Sequence, residues 1–262
     1  MLVPAQGRRS AGPPARADGC DPAYPTGQAS SPQASSRWQA AAGTPPLRLA
    51  HRGDHRRAPE NTLAAFLAAL DVPGCDGLEF DVRASREGTP IVLHDATLER
   101  VQGHAARAAE WSASELAAVG VPTLAAVLAV VPPTAFLDIE LKEDLGSPFV
   151  DALRAARGPD LAGAVVSSFD APALARVRAI APTWRCWLNA DDLLPSTLDL
   201  ARRLGCAGVA ARWTAVDAPG MGRARALGLE VAAWTVRRRA TFGRLARLGA
   251  VAVCVEGAAL AG

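Results

Sequence analysis

Residues 77–95 of this 262-residue chain read GLEFDVRASREGTPIVLHD, and their spacing distinguishes between the possible arrangements of strands. It holds two apolar runs, at 77–82 and 90–95, and only residues 83–89 separate them. A crossover between parallel strands needs a dozen or more residues, whereas an antiparallel pair needs only a short turn. Gly88 is the residue type that such a turn favours. We therefore predict that the second run folds back on the first as a β-hairpin.

Eight apolar or β-branched runs remain once this returning arm is set aside, and Ala- and Leu-rich helical segments separate seven of them. The runs are LRLAH 47–51, GLEFDV 77–82, AFLDIEL 135–141, AVVSSF 164–169, RCWLN 185–189, GVAARW 208–213, LEVAAWTV 229–236 and AVAVCVE 250–256. This alternation predicts an α/β fold, a (β/α)8 TIM barrel spanning residues 47–262. A doubly wound open sheet is the alternative, but no glycine-rich phosphate-binding turn follows any run.

Residues 1–46 differ in composition from the rest of the chain. They are rich in Pro, Gly, Ser and Ala and contain few large apolar side chains, which predicts a disordered extension before the barrel domain. They lack the apolar core of a secretory signal, and no apolar stretch of membrane-spanning length occurs anywhere. The five cysteines show no C-x-x-C spacing. We expect a soluble, cytoplasmic protein with reduced cysteines and no stable membrane insertion.

The charge balance argues against nucleic acid as a partner. The chain has 28 basic and 26 acidic residues, and the small excess lies in residues 1–46, so the predicted barrel is neutral. No basic stripe with interleaved aromatic residues appears. Lys142 is the only lysine in a chain that otherwise uses arginine, which makes it a notable position. A small-molecule partner is the better expectation, and the oligomeric state stays open.

Acidic residues recur on two predicted strands. Glu79 and Asp81 are two positions apart, as are Asp138, Glu140 and Lys142, so each set projects from one face of its strand. One such strand could face solvent, but the coincidence of two favours acids aimed into the barrel. Carboxylates without a Cys or His cluster suit Mg2+ or Ca2+ better than zinc. A metal cation beside a lysine can bind a phosphoryl group, because both positive charges stabilise its negatively charged oxygens.

Two of the four histidines end predicted strands beside these acids. His51 closes the first strand and His94 closes the hairpin arm, whereas His55 and His104 lie in predicted loops. An imidazole titrates near neutral pH, so a histidine pair can divide general base and general acid roles across a phosphodiester. The sequence thus indicates phosphodiester chemistry.

Seven spaced motifs together resemble the glycerophosphodiester phosphodiesterase family over residues 47–256. They are His51-Arg52-Gly53, Pro59-Glu60-Asn61-Thr62-Leu63, Glu79-Phe80-Asp81-Val82, His94-Asp95, Glu140-Leu141-Lys142, Ser168-Phe169 and Trp234-Thr235-Val236. The family is similar in fold to the phosphatidylinositol-specific phospholipase C barrels. Its members cleave glycerophosphodiesters to glycerol 3-phosphate and an alcohol.

The resemblance implies roles for the matching positions. One divalent cation, Mg2+ or Ca2+, would be held by Glu79, Asp81 and Glu140. The acid/base pair would be His51 and His94: one accepts a proton from the attacking water or glycerol 2-hydroxyl, and the other protonates the leaving alkoxide.

Further positions would bind or support. By the same resemblance, Arg52 and Lys142 contact the phosphate, Trp234 lines the substrate mouth, and Glu60 with Asn61 keep the site in shape. The family usually ends its last strand with a Thr-Asp pair, whereas this chain has Val255 and Glu256, so a contact between that aspartate and the barrel mouth would be made here by the longer Glu256 or not at all. Residues 54–57, between the first two motifs, are predicted to be solvated.

Two other functions stay open at this point. A lysophospholipase D acting on lysolipids would need an apolar rim at the barrel mouth, for which Trp184, Trp187 and Trp213 are candidates, although Trp187 and Trp213 are equally candidates for the core. A catalytically degenerate barrel could bind phosphate without turnover, but it should lack a motif residue. None of the motif acids or the two histidines is missing.

Overall fold

A computed structural model describes residues 44–262 of the protein. Residues 1–46 were predicted to be disordered. Of these, residues 1–43 lie outside the described residues. The strands are β1 Leu47–His51, β2 Gly77–Ala84, β3 Pro90–Val92, β4 Phe136–Leu141, β5 Ala164–Ser168, β6 Cys186–Ala190, β7 Gly208–Arg212, β8 Glu230–Val236 and β9 Ala252–Val255.

These strands confirm the predicted barrel. β1, β2 and β4 to β9 pair in parallel in the order β1-β2-β4-β5-β6-β7-β8-β9, and β9 pairs with β1 to close the ring. β3 runs antiparallel to the end of β2, with Val92 opposite Val82 and Pro90 opposite Ala84. The turn between them, residues 85–89, contains Gly88 with φ 83°. All parallel strands therefore end at one face of the barrel.

Helices connect the strands around the outside of the barrel. They are α1 Leu63–Leu70, α2 Glu99–Gln102, α3 Ala113–Ala118, α4 Leu124–Val130, α5 Gly146–Arg157, α6 Ala171–Ile180, α7 Pro195–Arg203, α8 Ala218–Ala226 and α9 Arg239–Leu248. Side-chain caps fix where several begin: Thr62 accepts from the Ala65 amide at 3.2 Å, and Ser112 with Glu115 forms a capping box. Within residues 44–262, no helix has the length and apolarity to cross a bilayer.

Apolar side chains alternate between two cores. The larger core lies between the strands and the helices. The smaller one fills the barrel below the strand ends and combines large side chains from β4 and β6, Phe136 and Trp187, with alanines from β7, β8 and β9. Trp187 stacks on Phe136 and donates its indole N–H to Glu230 at 3.1 Å. Because the alanines are small, space remains above them for a cavity.

Two of the three tryptophans considered for an apolar rim at the barrel mouth, Trp184 and Trp187, do not lie at that mouth. Trp184 and Trp187 are fully buried, one among the helices and one at the base of the barrel interior. Trp213 packs on the outer core beneath Arg244, whose guanidinium lies 5.9 Å from the ring centroid. A tryptophan on a strand faces either the core or solvent. Burial of a large aromatic ring is favourable, which explains why Trp187 faces the core.

Candidate active site

The turn after β1 has an unusual backbone. Arg52 and Asn61 adopt φ of 57° and 58°, which is rare for residues with a side chain. Gly53, with φ 83°, sits so close to helix α1 that a Cβ would lie 2.6 Å from the Ala65 carbonyl carbon. The Asn61 amide donates to the Arg52 carbonyl at 3.0 Å. This turn directs the Arg52 and Asn61 side chains to the same carboxylate, that of Asp81.

Three carboxylates meet at the carboxyl ends of β2 and β4. One oxygen each from Glu79, Asp81 and Glu140 lies within 4.8 Å of the others. Strand register explains the meeting, because Asp81 pairs with Glu140 on the neighbouring strand. Lys142 lies 2.8 Å from Asp81 Oδ1 and also contacts Glu140. The structure thus brings together the three predicted cation ligands and the single lysine.

Asp81 is the acid most strongly held in its charged form. Arg52 Nε lies 3.1 Å from Asp81 Oδ2, and Asn61 donates to the same oxygen at 2.9 Å. Burial alone would raise the pKa of Asp81, but Lys142 and Arg52 lower it to about 2. Asp81 is therefore a carboxylate at all ordinary pH values.

At Glu79, the charge of Arg52 lowers the pKa by less than burial and the neighbouring acids raise it. Burial, followed by the charges of Asp81 and Glu140, raises the pKa of Glu79 well above its ordinary value. Its Oε2 is buried and accepts no hydrogen bond within the described residues. A hard cation at this point would supply the missing positive partner and fits an all-oxygen donor set. The residues present therefore fit a divalent cation of the Mg2+ or Ca2+ type.

His51 is fixed from behind by an acid at the far end of the chain. Its Nδ1 lies 2.6 Å from Oε1 of Glu256, which follows β9 next to β1 in the closed ring. Its Nε2 lies 3.8 Å from Glu79 Oε2. A carboxylate only accepts hydrogen bonds, so Nδ1 carries the hydrogen and Nε2 of the neutral ring is left to accept a proton.

Glu256 itself is held by Arg237 and lies near His55. Arg237 Nε donates to Glu256 Oε2 at 2.7 Å, and the His55 ring lies 3.9 Å from the same oxygen. Burial opposes ionisation, but the hydrogen bonds from His51 and Arg237 lower the pKa of Glu256 to about 2. The residue that departs from the family pattern in length thus places a permanent negative charge against His51.

His94 reaches the site because β3 runs back along β2. The Leu93 amide donates to the Asp81 carbonyl at 2.9 Å, and Arg83 donates to the His94 carbonyl at 2.8 Å. Nδ1 of His94 lies 2.6 Å from Asp95 Oδ1. Burial lowers the pKa of His94, which favours the neutral ring at neutral pH. The two predicted histidines therefore share one arrangement, with a carboxylate at Nδ1 and with Nε2 free of that bond.

A salt-bridge network connects Arg52, in the turn after His51, with Asp95, the hydrogen-bond partner of His94. Glu60 accepts from Arg52 at 2.9 Å and from Arg100 at 2.7 Å. Arg100 also donates to Asp95 at 2.6 Å, so the carboxylate behind His94 is itself fixed. Glu60 thus supports both the first turn and the hairpin, in keeping with the supporting position expected for it.

The site residues line a cavity of about 280 Å³ at the carboxyl ends of the strands. Its wall includes both histidines, Arg52, Lys142 and two of the three clustered acids, and it extends to Trp234 and Phe169 at the opening. The Trp234 indole donates to the Ala210 carbonyl at 2.8 Å, which fixes the ring. Phe169 meets it edge-on at 5.5 Å and is 50% exposed. The opening therefore has one apolar side.

The expectation that residues 54–57 are solvated is wrong for Asp54. Its carboxylate is buried and accepts from the Arg56 amide and guanidinium at 3.3 and 2.9 Å. The Asp54 amide donates to Ala65, so this residue anchors the turn to helix α1. The two arginines and His55 are exposed or half-buried, as predicted.

Several contributors could not be assigned roles from spacing. Asp95 stood inside a recognised motif, so its adjacency to His94 was a usable signal. Glu256 lies 205 residues from its partner His51, and only barrel closure brings the two together. Asp138 was recognised as inward-facing, but only the structure shows it in the cavity wall, below Glu140. These residues support the histidines and line the cavity.

Comparisons with known proteins agree with this geometry. The sequence profile of the glycerophosphoryl diester phosphodiesterase family matches residues 51–258. The chain is 25% identical over 223 residues to a glycerophosphodiester phosphodiesterase of Caldanaerobacter subterraneus, covering 78% of this chain and 90% of that protein.

Solved structures show the same barrel. A phosphodiesterase from Oleispira antarctica, in complex with the product sn-glycerol-3-phosphate, is 27% identical with a TM-score of 0.72 and covers 80% of this chain and 92% of its own. A glycerophosphodiester phosphodiesterase from Agrobacterium tumefaciens shares the fold at 24% identity and a TM-score of 0.72, over 82% of this chain and 98% of its own.

Proposed function

Since the chain belongs to the glycerophosphoryl diester phosphodiesterase family, we propose that it hydrolyses small, soluble glycerophosphodiesters to glycerol 3-phosphate and an alcohol. Glu79, Asp81 and Glu140 would hold one divalent cation, Mg2+ or Ca2+. His51 and His94 transfer the protons. The product seen in the Oleispira antarctica relative supports glycerol 3-phosphate as the ligand class.

One observation carries the proposal. His51 and His94 line the same cavity as Glu79 and Glu140, and each is bonded through Nδ1 to a carboxylate at 2.6 Å. Such bonds fix the tautomer, so each ring presents Nε2 as its proton-exchanging atom. Displacement at phosphorus needs one group to take a proton and another to give one. A pair of equally oriented imidazoles in one cavity supplies both.

The proton transfers follow from this arrangement. One Nε2 accepts the proton of the attacking hydroxyl, from water or from the substrate's glycerol 2-hydroxyl, as the oxygen bonds to phosphorus. The other ring, protonated from solvent before the step, gives its Nε2 proton to the departing alkoxide, which leaves as the alcohol. If the 2-hydroxyl attacks, a cyclic phosphate forms, and water opens it with the two histidines exchanging roles. On the cyclic route each ring thus returns to its starting state, whereas after direct attack by water both rings exchange a proton with solvent to return to it.

The cationic side chains handle the phosphate charge. Arg52 and Lys142 line the cavity beside the histidines. Their positive charges orient the phosphodiester and stabilise the negative charge that grows on its oxygens. The cation, when bound, adds Lewis-acid stabilisation of the same oxygens. Glu60 and Asn61 hold Arg52 and Asp81 in these positions by the contacts described above.

The experiment is substrate and cation profiling of the purified protein. Glycerophosphocholine, glycerophosphoethanolamine and glycerophosphoinositol are each tested with Mg2+, Ca2+ and EDTA. We expect hydrolysis with at least one cation, loss of activity in EDTA, and a loss of at least about a hundredfold in Glu79→Gln. Asp151→Asn, on the exposed outer surface of α5, is the matched control. Full activity of Glu79→Gln, or hydrolysis unaffected by EDTA, would refute the cation assignment.

A lysolipid substrate is the second candidate, and Phe169 favours it. Phe169 and Trp234 form an apolar edge at the cavity opening that could contact an acyl chain. Comparing glycerophosphocholine with lysophosphatidylcholine separates the two functions. Preference for the lysolipid, and loss of that preference in Phe169→Ser, would favour a lysophospholipase D.

A further inference from the structure

The lower wall of the cavity is polar, although the barrel interior around it is apolar. We name the polar floor by its three residues: Asp138 on β4, Ser167 on β5 and Asn189 on β6. Asp138 lies two positions before Glu140 on the same strand, so it points into the barrel one layer deeper. The histidines and the cation ligands described above include none of these three residues.

The polar floor has acceptor atoms without donors. Asp138 is 2% and Asn189 is 7% exposed. Oδ1 of Asp138 and Oδ1 of Asn189 are both buried and have no hydrogen-bond partner among the described residues. The other atoms of the floor do have contacts: the Ser167 hydroxyl hydrogen-bonds to the Asp138 carboxylate, Asn189 donates to Ser167 at 3.5 Å, and the Cys254 thiol lies 3.9 Å from Asp138 Oδ2. Two buried acceptors therefore face the cavity unsatisfied.

Such groups are costly to fold. A buried acceptor that loses water without gaining a donor destabilises the native state, and buried polar groups are nearly always paired. Leucine or valine could fill the same space in a barrel whose neighbouring layer is already apolar. An unpaired acid and amide at the end of a cavity are expected when the ligand supplies their partners.

The chemistry of the floor selects the ligand. Two acceptors require two donors, and within the described residues no arginine or lysine hydrogen-bonds to either oxygen. A second phosphate would be repelled by Asp138. A second cation is disfavoured because Asp138 does not join the carboxylate oxygens that cluster within 4.8 Å. Neutral hydroxyl groups remain, and a polyol carries them on adjacent carbons.

We propose that the polar floor binds the hydroxyl groups of the substrate's glycerol portion, with hydroxyl donors to Asp138 Oδ1 and Asn189 Oδ1. This inference rests on the proposed function, because the phosphate must lie at the histidines above the floor. The floor then distinguishes a glycerol ester from an alkyl ester of the same length. These are positioning residues for the polyol, and they exchange no proton in the reaction.

The test compares two ligands that differ only in hydroxyl groups. Glycerol 3-phosphate and n-propyl phosphate have the same carbon chain and phosphate. Isothermal titration calorimetry with Mg2+ present measures both affinities for the wild type, Asp138→Leu and Asn189→Leu, with Asp151→Leu as a control away from the cavity. We expect the wild type to bind glycerol 3-phosphate at least about tenfold more tightly. Either floor variant should reduce that ratio severalfold while n-propyl phosphate binds as before.

Thermal unfolding supplies a second readout. Because Asp138 is buried without a counter-ion in contact, Asp138→Leu should melt at the same or a higher temperature than the wild type. A structural role alone predicts a lower melting temperature and equal losses for both ligands. Either of those results, or equal wild-type affinity for the two ligands, overturns the inference. Binding is measured without turnover, so failure to hydrolyse glycerophosphodiesters would refute the proposed function separately.

Discussion

Glu256 offers a sharp prediction, because its effect on the reaction runs through one hydrogen bond. We expect Glu256→Ala to lower kcat for glycerophosphodiester hydrolysis while changing KM little. The bond joins His51 Nδ1 to Glu256 Oε1 at 2.6 Å, and the carboxylate is buried. Without it, the His51 ring is free to rotate and to take the other tautomer, and its protonated form loses a negative partner.

The size of the effect follows from the kind of bond. A hydrogen bond to a charged group contributes about 1.5–3 kcal/mol. If that contribution acts in the transition state, kcat falls roughly 10- to 150-fold. Glu256→Gln keeps an acceptor but loses the charge, so its kcat should lie between those of the wild type and Glu256→Ala.

The assay is steady-state hydrolysis of glycerophosphocholine at saturating cation concentration, with circular dichroism to verify folding. Arg237→Gln is the matched control: it removes the other partner of Glu256 but leaves the bond to His51. The Arg237 side chain is 76% exposed, and exposed ion pairs contribute little. We expect less than about a threefold change in kcat for this control. A folded Glu256→Ala enzyme with wild-type kcat would refute the positioning role.

Three further predictions concern stability. Gly53→Ala should lower the free energy of unfolding about 1–3 kcal/mol more than Gly88→Ala in chemical denaturation, because both glycines have φ 83° but only Gly53 faces a backbone within 3 Å; equal losses would contradict the close contact. Lys142→Met should destabilise the cation-free protein by about 3–5 kcal/mol, since Glu140 loses the cation that contacts it and Asp81 keeps only Arg52, and an unchanged melting temperature in EDTA would be the contrary result. The stabilisation from Glu256, at most about 3 kcal/mol, should be full above its unfolded pKa of 4.5 and disappear as the pH falls through its folded pKa of about 2. The stability difference between the wild type and Glu256→Gln should therefore shrink between pH 5 and pH 2 (roughly the window between these pKa values), and a pH-independent difference would oppose this.

The barrel was predictable because its signal is local. Each predicted run contains a strand, since alternating or continuous apolar residues bounded by helical segments leave few other structures. The ends of the strands were harder to predict. The run at 90–95 contains a strand only over 90–92, because His94 and Asp95 leave the strand pairing and turn toward the site. A local pattern cannot show where a side chain's functional contact ends the pairing.

The site was predictable to the extent that its residues lie on strands. The acids on β2 and β4 follow from alternation, and His51 follows from its strand end. Glu256 and the unpaired state of Asp138 depend on which strands become neighbours across the closed ring, so spacing alone could not give them. The burial of Asp54 was missed for a related reason: its partners lie in its own turn and in helix α1, which a count of charged residues does not connect.

In the proposed reaction, this cavity cleaves glycerophosphodiesters on the alcohol side of phosphorus by means of two histidines. Phosphorus NMR of glycerophosphocholine incubated with the enzyme and its cation tests this directly. We predict that glycerol 3-phosphate is the final phosphorus-containing product and that neither His51→Ala nor His94→Ala forms it at a rate within about a hundredfold of the wild type. Formation of phosphocholine, or rapid production of glycerol 3-phosphate by either variant, would contradict the account.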